Sequence, residues 1–174
     1  MNSWTLTPYD QTELDLKVEL RSKGDKNEDV GLYFTLDDPK NTVIWPRLSS
    51  RPKRVKLLWE STCFEFFGLL SEDGAYEEWN FSPSGDWNHF HFESYRYPKK
   101  LKEAATRRPS IHSQKIKGKK EIRISFPRKE WIKINLCSIL YDTEGRSHYF
   151  AMTHNKNSPP DFHNFENFTP VSVF

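Results

Sequence analysis

Apolar and polar positions alternate with a period of two over much of the chain. Leu14, Leu16, Val18 and Leu20 alternate with Asp15, Lys17, Glu19 and Arg21, and Val30, Leu32, Phe34 and Leu36 repeat the pattern. Such alternation puts one side of a strand against a core and the other in water. Residues 22–27, with Gly24, carry turn chemistry between the two runs, and Asp37-Asp38-Pro39 stops the second. Strands are predicted at 63–70, 76–82 and 87–95, joined by Ser71-Glu72-Asp73-Gly74 and Pro83-Ser84-Gly85-Asp86 as a meander. Further hairpins are predicted at 111–116 with 121–126, across Lys117 to Lys120, and at 134–141 with 148–153. Short helical pieces are expected only at 101–106 and 128–132. Many short strands with little helix predict an all-β antiparallel sandwich, formed by a single domain over residues 1–174.

Composition sharpens this picture. Hydrophobic residues make up 36% of the 174 residues and mean hydropathy is −0.81, a balance that alone would suit disorder. Aromatic residues reach 15%, and disordered chains are poor in them. Large rings therefore supply the core. No run nears the length of a membrane-spanning helix, and Met1 to Thr5 lacks the basic and apolar parts of a signal peptide. Cys63 and Cys137 sit in strand-like runs without a C-x-x-C pair and read as buried thiols. A cytoplasmic protein is expected. Net charge is +2, but residues 96–123 hold 11 Lys and Arg against Glu103 and Glu121. This segment reads as a solvated connection and hairpin. A protein- or nucleic-acid-interaction module is the alternative, weakened by the lack of aromatics between Leu101 and Lys120, so a nucleic-acid partner is not favoured.

Strand parity separates candidate faces in the meander. Phe64 and Phe66, Trp79 and Phe81, and Phe90 and Phe92 are expected in the core. The complementary set gives one surface with Glu65, Glu78, Asn80, Trp87, His89, His91 and Tyr95. Flat rings beside carboxylates and an amide suit a sugar, whose C–H face stacks on a ring while its hydroxyls bond to the polar groups. An ordinary solvent face has the same composition. Glu65 stands out because it interrupts an apolar strand, and a buried carboxylate needs a partner.

The runs Trp59-Glu60-Ser61-Thr62-Cys63-Phe64-Glu65 and Asn80-Phe81-Ser82-Pro83-Ser84-Gly85-Asp86-Trp87, with Tyr149 to His154 and Pro160 to His163, are specific. Together they resemble a bacterial family of DOMON-like domains grouped with the family-nine carbohydrate-binding modules, over about Leu14 to Phe168. The resemblance implies a two-sheet sandwich and a non-catalytic, ligand-binding role. Relatives bind sugars or haem, and the sugar binders stack the ligand on paired tryptophans. Trp45, Trp59, Trp79 and Trp87 are candidates here, with Trp79 directed to the core by parity.

The expected function is binding of a carbohydrate or sugar-containing metabolite through Trp59, Glu60, Glu65, Glu78, Asn80, Trp87, His89 and His91. No cofactor is predicted. A haem-binding reading would draw on Met152 and His154. His154, Asp161 and His163 could hold a metal or pin a loop, and calcium follows only by analogy with the sugar-binding relatives. A glycoside-processing enzyme would need two carboxylates across a cleft, and no spacing singles out a pair.

Overall fold

The computed structural model describes residues 2–22, 29–155 and 158–171. The turn predicted over 22–27 falls, beyond Ser22, outside them. Strands β1 (Asn2–Pro8), β2 (Asp15–Ser22) and β3 (Asp29–Asp37) are followed by β4 (Cys63–Leu69), β5 (Tyr76–Phe81) and β6 (Trp87–Phe92). Next come β7 (Lys102–Glu103), β8 (Ser110–Ile116), β9 (Lys119–Pro127), β10 (Lys133–Tyr141), β11 (Ser147–Ala151) and β12 (Thr169–Pro170). These strands pair antiparallel with one another, in the order β7-β6-β5-β4-β10-β11-β1-β2-β3-β9-β8, with β12 on β10.

The sheet curls back on itself into a sandwich. β1 forms the corner: Asn2 to Leu6 pair with β2, while Thr7 and Pro8 pair with β11. The layer β2-β3-β9-β8 presents Leu16, Val18, Leu32, Phe34, Ile122 and Ile124 to the layer β6-β5-β4-β10-β11. Rings join the two layers: Phe34 meets Phe64 at 4.8 Å, and Phe126 meets both Phe66 and Trp79 at 5.1 Å. Aliphatic side chains from β2, β3 and β9 and large aromatic rings share this core.

The second layer is buried on both faces. Its outer face carries another cluster, in which Phe67, Tyr76, Phe90 and Phe92 meet Phe162 and Phe168 from the C-terminal tail. Every residue of β4 and β5 is consequently buried.

Neither expected helix forms. Among the described residues the helical pieces are single 3-10 turns at Leu58–Glu60 and Phe165–Asn167. In the 101–106 stretch, Lys102 and Glu103 extend the sheet beside β6, and the Ala104 N–H donates to the His89 carbonyl at 2.8 Å. An edge strand's unpaired backbone groups outcompete local helix propensity there. β1 was not foreseen from sequence, since its polar residues alternate too weakly. Cys63 and Cys137 are buried free thiols. No helix among the described residues is long and apolar enough to cross a membrane.

Candidate functional site

The β5–β6 register overturns the expected polar surface. Trp79 lies opposite His89, Phe81 opposite Trp87, and Glu77 opposite His91. Residues directly opposite share a face. Trp87, His89 and His91 therefore lie on the inner face with Trp79, away from Glu65, Glu78 and Asn80. Phe90 and Phe92, expected in the inner core, lie on the outer face with Glu78 and Tyr76. A shift of one residue exchanges the faces of a strand, and β6 has aromatics at both parities, so its own pattern could not fix the choice.

The inner-face residues form a closed structural set. Trp87 is 5% exposed, stacks on Trp79 and lies beneath the Arg54 guanidinium at 4.4 Å. His89 stacks on Trp79 at 3.9 Å, and its Nε2 lies 2.9 Å from Glu77 Oε2. Glu77 also accepts from Trp131 Nε1 at 2.7 Å and pairs with Lys129. Burial raises the Glu77 carboxyl, but His89 and Lys129 outweigh it and hold the group below its ordinary range. Trp45 is also core, against Phe64. Of the four candidate tryptophans only Trp59 faces the cavity described next.

On the outer face, a cavity of about 490 Å³ opens between the sheet, the loop 93–101 and the tail around Pro160 to His163. Glu65 of β4 and Glu78 of β5 line it from the sheet. Trp59, Phe92, Tyr149 and Phe162 contribute rings. Arg96 and Lys99 come from the loop, and His163 from the tail. The sequence reading missed Phe67, Phe92, Arg96, Lys99, Ile139, Tyr149 and Phe162 as lining residues. The only signal for Tyr149 and Phe162 was their place in the C-terminal motifs.

Asn80 supports this floor from behind. Its Nδ2 donates to Glu78 Oε1 at 2.6 Å, and Cys63 Sγ lies 3.6 Å from its Oδ1. Burial pushes Glu65 well above the usual carboxylate range, with the Glu78 charge adding to it. Burial likewise raises Glu78 to about 7, against the Asn80 hydrogen bond and the Arg96 charge. His163 Nδ1 lies 2.6 Å from the Tyr76 hydroxyl, and its Nε2 lies 3.7 Å from Glu78 Oε2. Burial and Arg96 lower the His163 pKa to about 3, so the ring faces Glu78 as a neutral imidazole.

Asp161 joins the tail to the loop. It accepts from the Tyr95 hydroxyl at 2.6 Å, Arg96 Nη2 at 2.8 Å and the His163 N–H at 3.1 Å. Asp161 and His163 thus stand together, but His154 does not join them. His154 Nε2 lies 3.0 Å from the Thr7 carbonyl and the ring packs on Tyr9. Glu60 is exposed beside Trp59 and does not line the cavity. Among the described residues, no three His, Cys, Asp or Glu side chains are arranged to hold a metal ion. The carboxylates of Asp38 and Asp142 are already met by Lys120 and by Arg146 with His148. Met152 packs against the inner core and His154 lies on Thr7, so the two are not brought together as a pair of haem ligands.

The specific run around Gly85 is a turn. Ser82 N–H donates to the Asp86 carbonyl at 2.9 Å, Gly85 takes φ 87°, and Asp86 Oδ1 accepts from the Lys53 N–H at 2.9 Å. The basic segment is also partly consumed by the fold: Lys120 is buried on Asp38, and Arg107 pairs with Asp29.

No protein-family profile matches the chain, and no curated protein matches it in sequence. Solved structures do match. A protein of Bacteroides uniformis, provisionally described as carbohydrate-binding, superposes with a TM-score of 0.67 at 11% identity, over 96% of this chain and 84% of that one. A family-nine carbohydrate-binding module from Caldicellulosiruptor kristjanssonii, in complex with cellotriose, gives a TM-score of 0.50 at 11% identity, over 90% and 74%. The shared feature is the sandwich fold.

Proposed function

We propose that the protein binds a carbohydrate, without transforming it, in the cavity on the outer face of the β4–β5–β6 sheet. The observation that carries this reading is the pairing of two buried carboxylates on the cavity floor with aromatic side chains on its walls. Ring faces of Trp59 and Tyr149 stack on the apolar side of a pyranose, and Glu65 and Glu78 accept from its hydroxyls. Asn80 acts through Glu78, as a positioning residue. The volume suits a small saccharide. The fold-level likeness to a module captured with cellotriose supports the same class of ligand.

Calorimetric titration against a glycan panel tests it. Wild-type protein is expected to bind at least one saccharide, and Trp59→Ala and Tyr149→Ala each weaken binding about tenfold or more, as stacked rings act as anchors. Absence of binding across the panel, or affinity unchanged in both variants, would overturn the proposal.

A further inference from the structure

The described residues contain five buried carboxylates: Asp38, Glu65, Glu77, Glu78 and Asp142. Three of them have a cation of their own, in the pairs Asp38–Lys120, Glu77–Lys129 and Asp142–Arg146. Glu65 and Glu78 are the exceptions, 3% and 4% exposed, and both line the cavity. In the β4–β5 register Glu65 faces Asn80 and Phe67 faces Glu78, so the two carboxylates are diagonal neighbours on one face.

Their donors are few. Glu78 accepts from Asn80 and faces the neutral His163 ring at 3.7 Å. Beside Glu65 stands the weak Cys63 thiol, whose Sγ lies 3.6 Å from Asn80 Oδ1. The cations at the cavity lie on the loop: Arg96 returns its charge to Asp161 at 2.8 Å, and Lys99 is exposed. The floor is therefore rich in carboxyl oxygens, and it lacks the cation that each other buried carboxylate has. Hydroxyl groups would supply donors but no charge. An ammonium group supplies three donors and the missing charge.

We propose that the ligand of this cavity is an amino sugar with a free amine, whose ammonium group seats between Glu65 and Glu78. The inference rests on the carbohydrate-binding reading above. Mutual repulsion and burial hold protons on the two carboxyls in the free protein; the ammonium charge offsets both, so binding expels protons.

The test pairs each common hexosamine with its parent hexose and its N-acetyl derivative, titrated calorimetrically at pH 7 in buffers of different ionisation enthalpy. At least one hexosamine is expected to bind about tenfold more tightly than its hexose and its N-acetyl form, with net proton release. Glu65→Gln and Glu78→Gln should remove that preference. Trp59→Ala should weaken hexosamine and hexose by the same factor, which separates the charge from the stacking. Equal affinity for hexosamine and hexose, or binding without proton release, would overturn the amine inference and leave the sugar reading standing. Failure of every saccharide to bind would overturn both.

Discussion

Glu77 and Glu78 are neighbours in sequence, both buried, and opposite in chemistry. Glu77 points inward, where His89, Lys129 and Trp131 all donate to it. Glu78 points outward to the cavity, with one amide donor and a neutral imidazole at a distance. The first carboxyl is held below its ordinary range and the second is raised to about 7. Burial opposes ionisation in both, so the difference lies in the donors around them. The inner face supplies Glu77 with three donors, although Trp79 Nε1 and His89 Nδ1 there have no hydrogen-bond partner among the described residues. The outer face leaves Glu65 and Glu78 without a cation of their own at the wall of a cavity.

The contrast breaks most sharply by mutation. Glu77→Ala leaves Lys129, His89 and Trp131 without their acceptor, and urea unfolding should show a loss of about 3–5 kcal/mol. Glu78→Gln removes an uncompensated charge, and its stability at pH 8 should equal or exceed that of wild type. Trp87→Ala opens a cavity in the inner core and should cost about 3–5 kcal/mol in the same assay, while the folded fraction retains its saccharide affinity. If Trp87→Ala abolished binding with stability intact, the assignment of faces would be wrong.

The pH dependence of stability should separate the two glutamates by sign. Glu78 is raised from 4.5 to about 7, so its folded state holds a proton the unfolded chain releases. Its favourable contribution is complete below pH 4.5 and is lost as pH rises through about 7, on the order of 3 kcal/mol in all. Glu77 is lowered, so its contribution is present above 4.5 and is lost as pH falls through its folded value. His163, lowered from 6.5 to about 3, also loses stability as pH falls below 6.5 and partly masks Glu78. The difference between wild type and Glu78→Gln isolates the fall in stability that Glu78 contributes as pH rises. A difference that stays flat from pH 4 to 8 in chemical denaturation would contradict the raised value.

The smallest expected effect concerns the cover over Glu77. A Cβ on Gly68 would lie 2.2 Å from Trp131 Cδ1, so Gly68→Ala must displace the indole that donates to Glu77. A loss of about 1–3 kcal/mol is expected in thermal or urea unfolding, with ligand affinity unchanged.

The fold was legible because strands such as β2, β3 and β9 have one buried face and keep a clean alternation. Glu65 was legible because it breaks an otherwise apolar strand, and Glu78 because it alternates with the core residues Trp79 and Phe81. The rest of the site was not. Trp87, His89 and His91 were assigned to the wrong face, and Arg96, Tyr149 and Phe162 were missed. Arg96 comes from a loop, where periodicity has no bearing. Tyr149 sits on a short strand, and Phe162 belongs to an irregular tail.

The amino-acid sequence by itself determined an antiparallel β fold, aromatic side chains in the core and one glutamate, Glu65, out of place in an apolar strand. Those are local consequences of side-chain period and burial cost. Only the tertiary structure decided which face each strand of the meander presents, because a sheet covered on both sides erases the alternation that would set the register. It also decided that Glu77 meets a lysine from a distant segment while Glu65 and Glu78 meet a cavity. Pairing across the fold, rather than residue type, separates the structural carboxylate from the two that line the cavity.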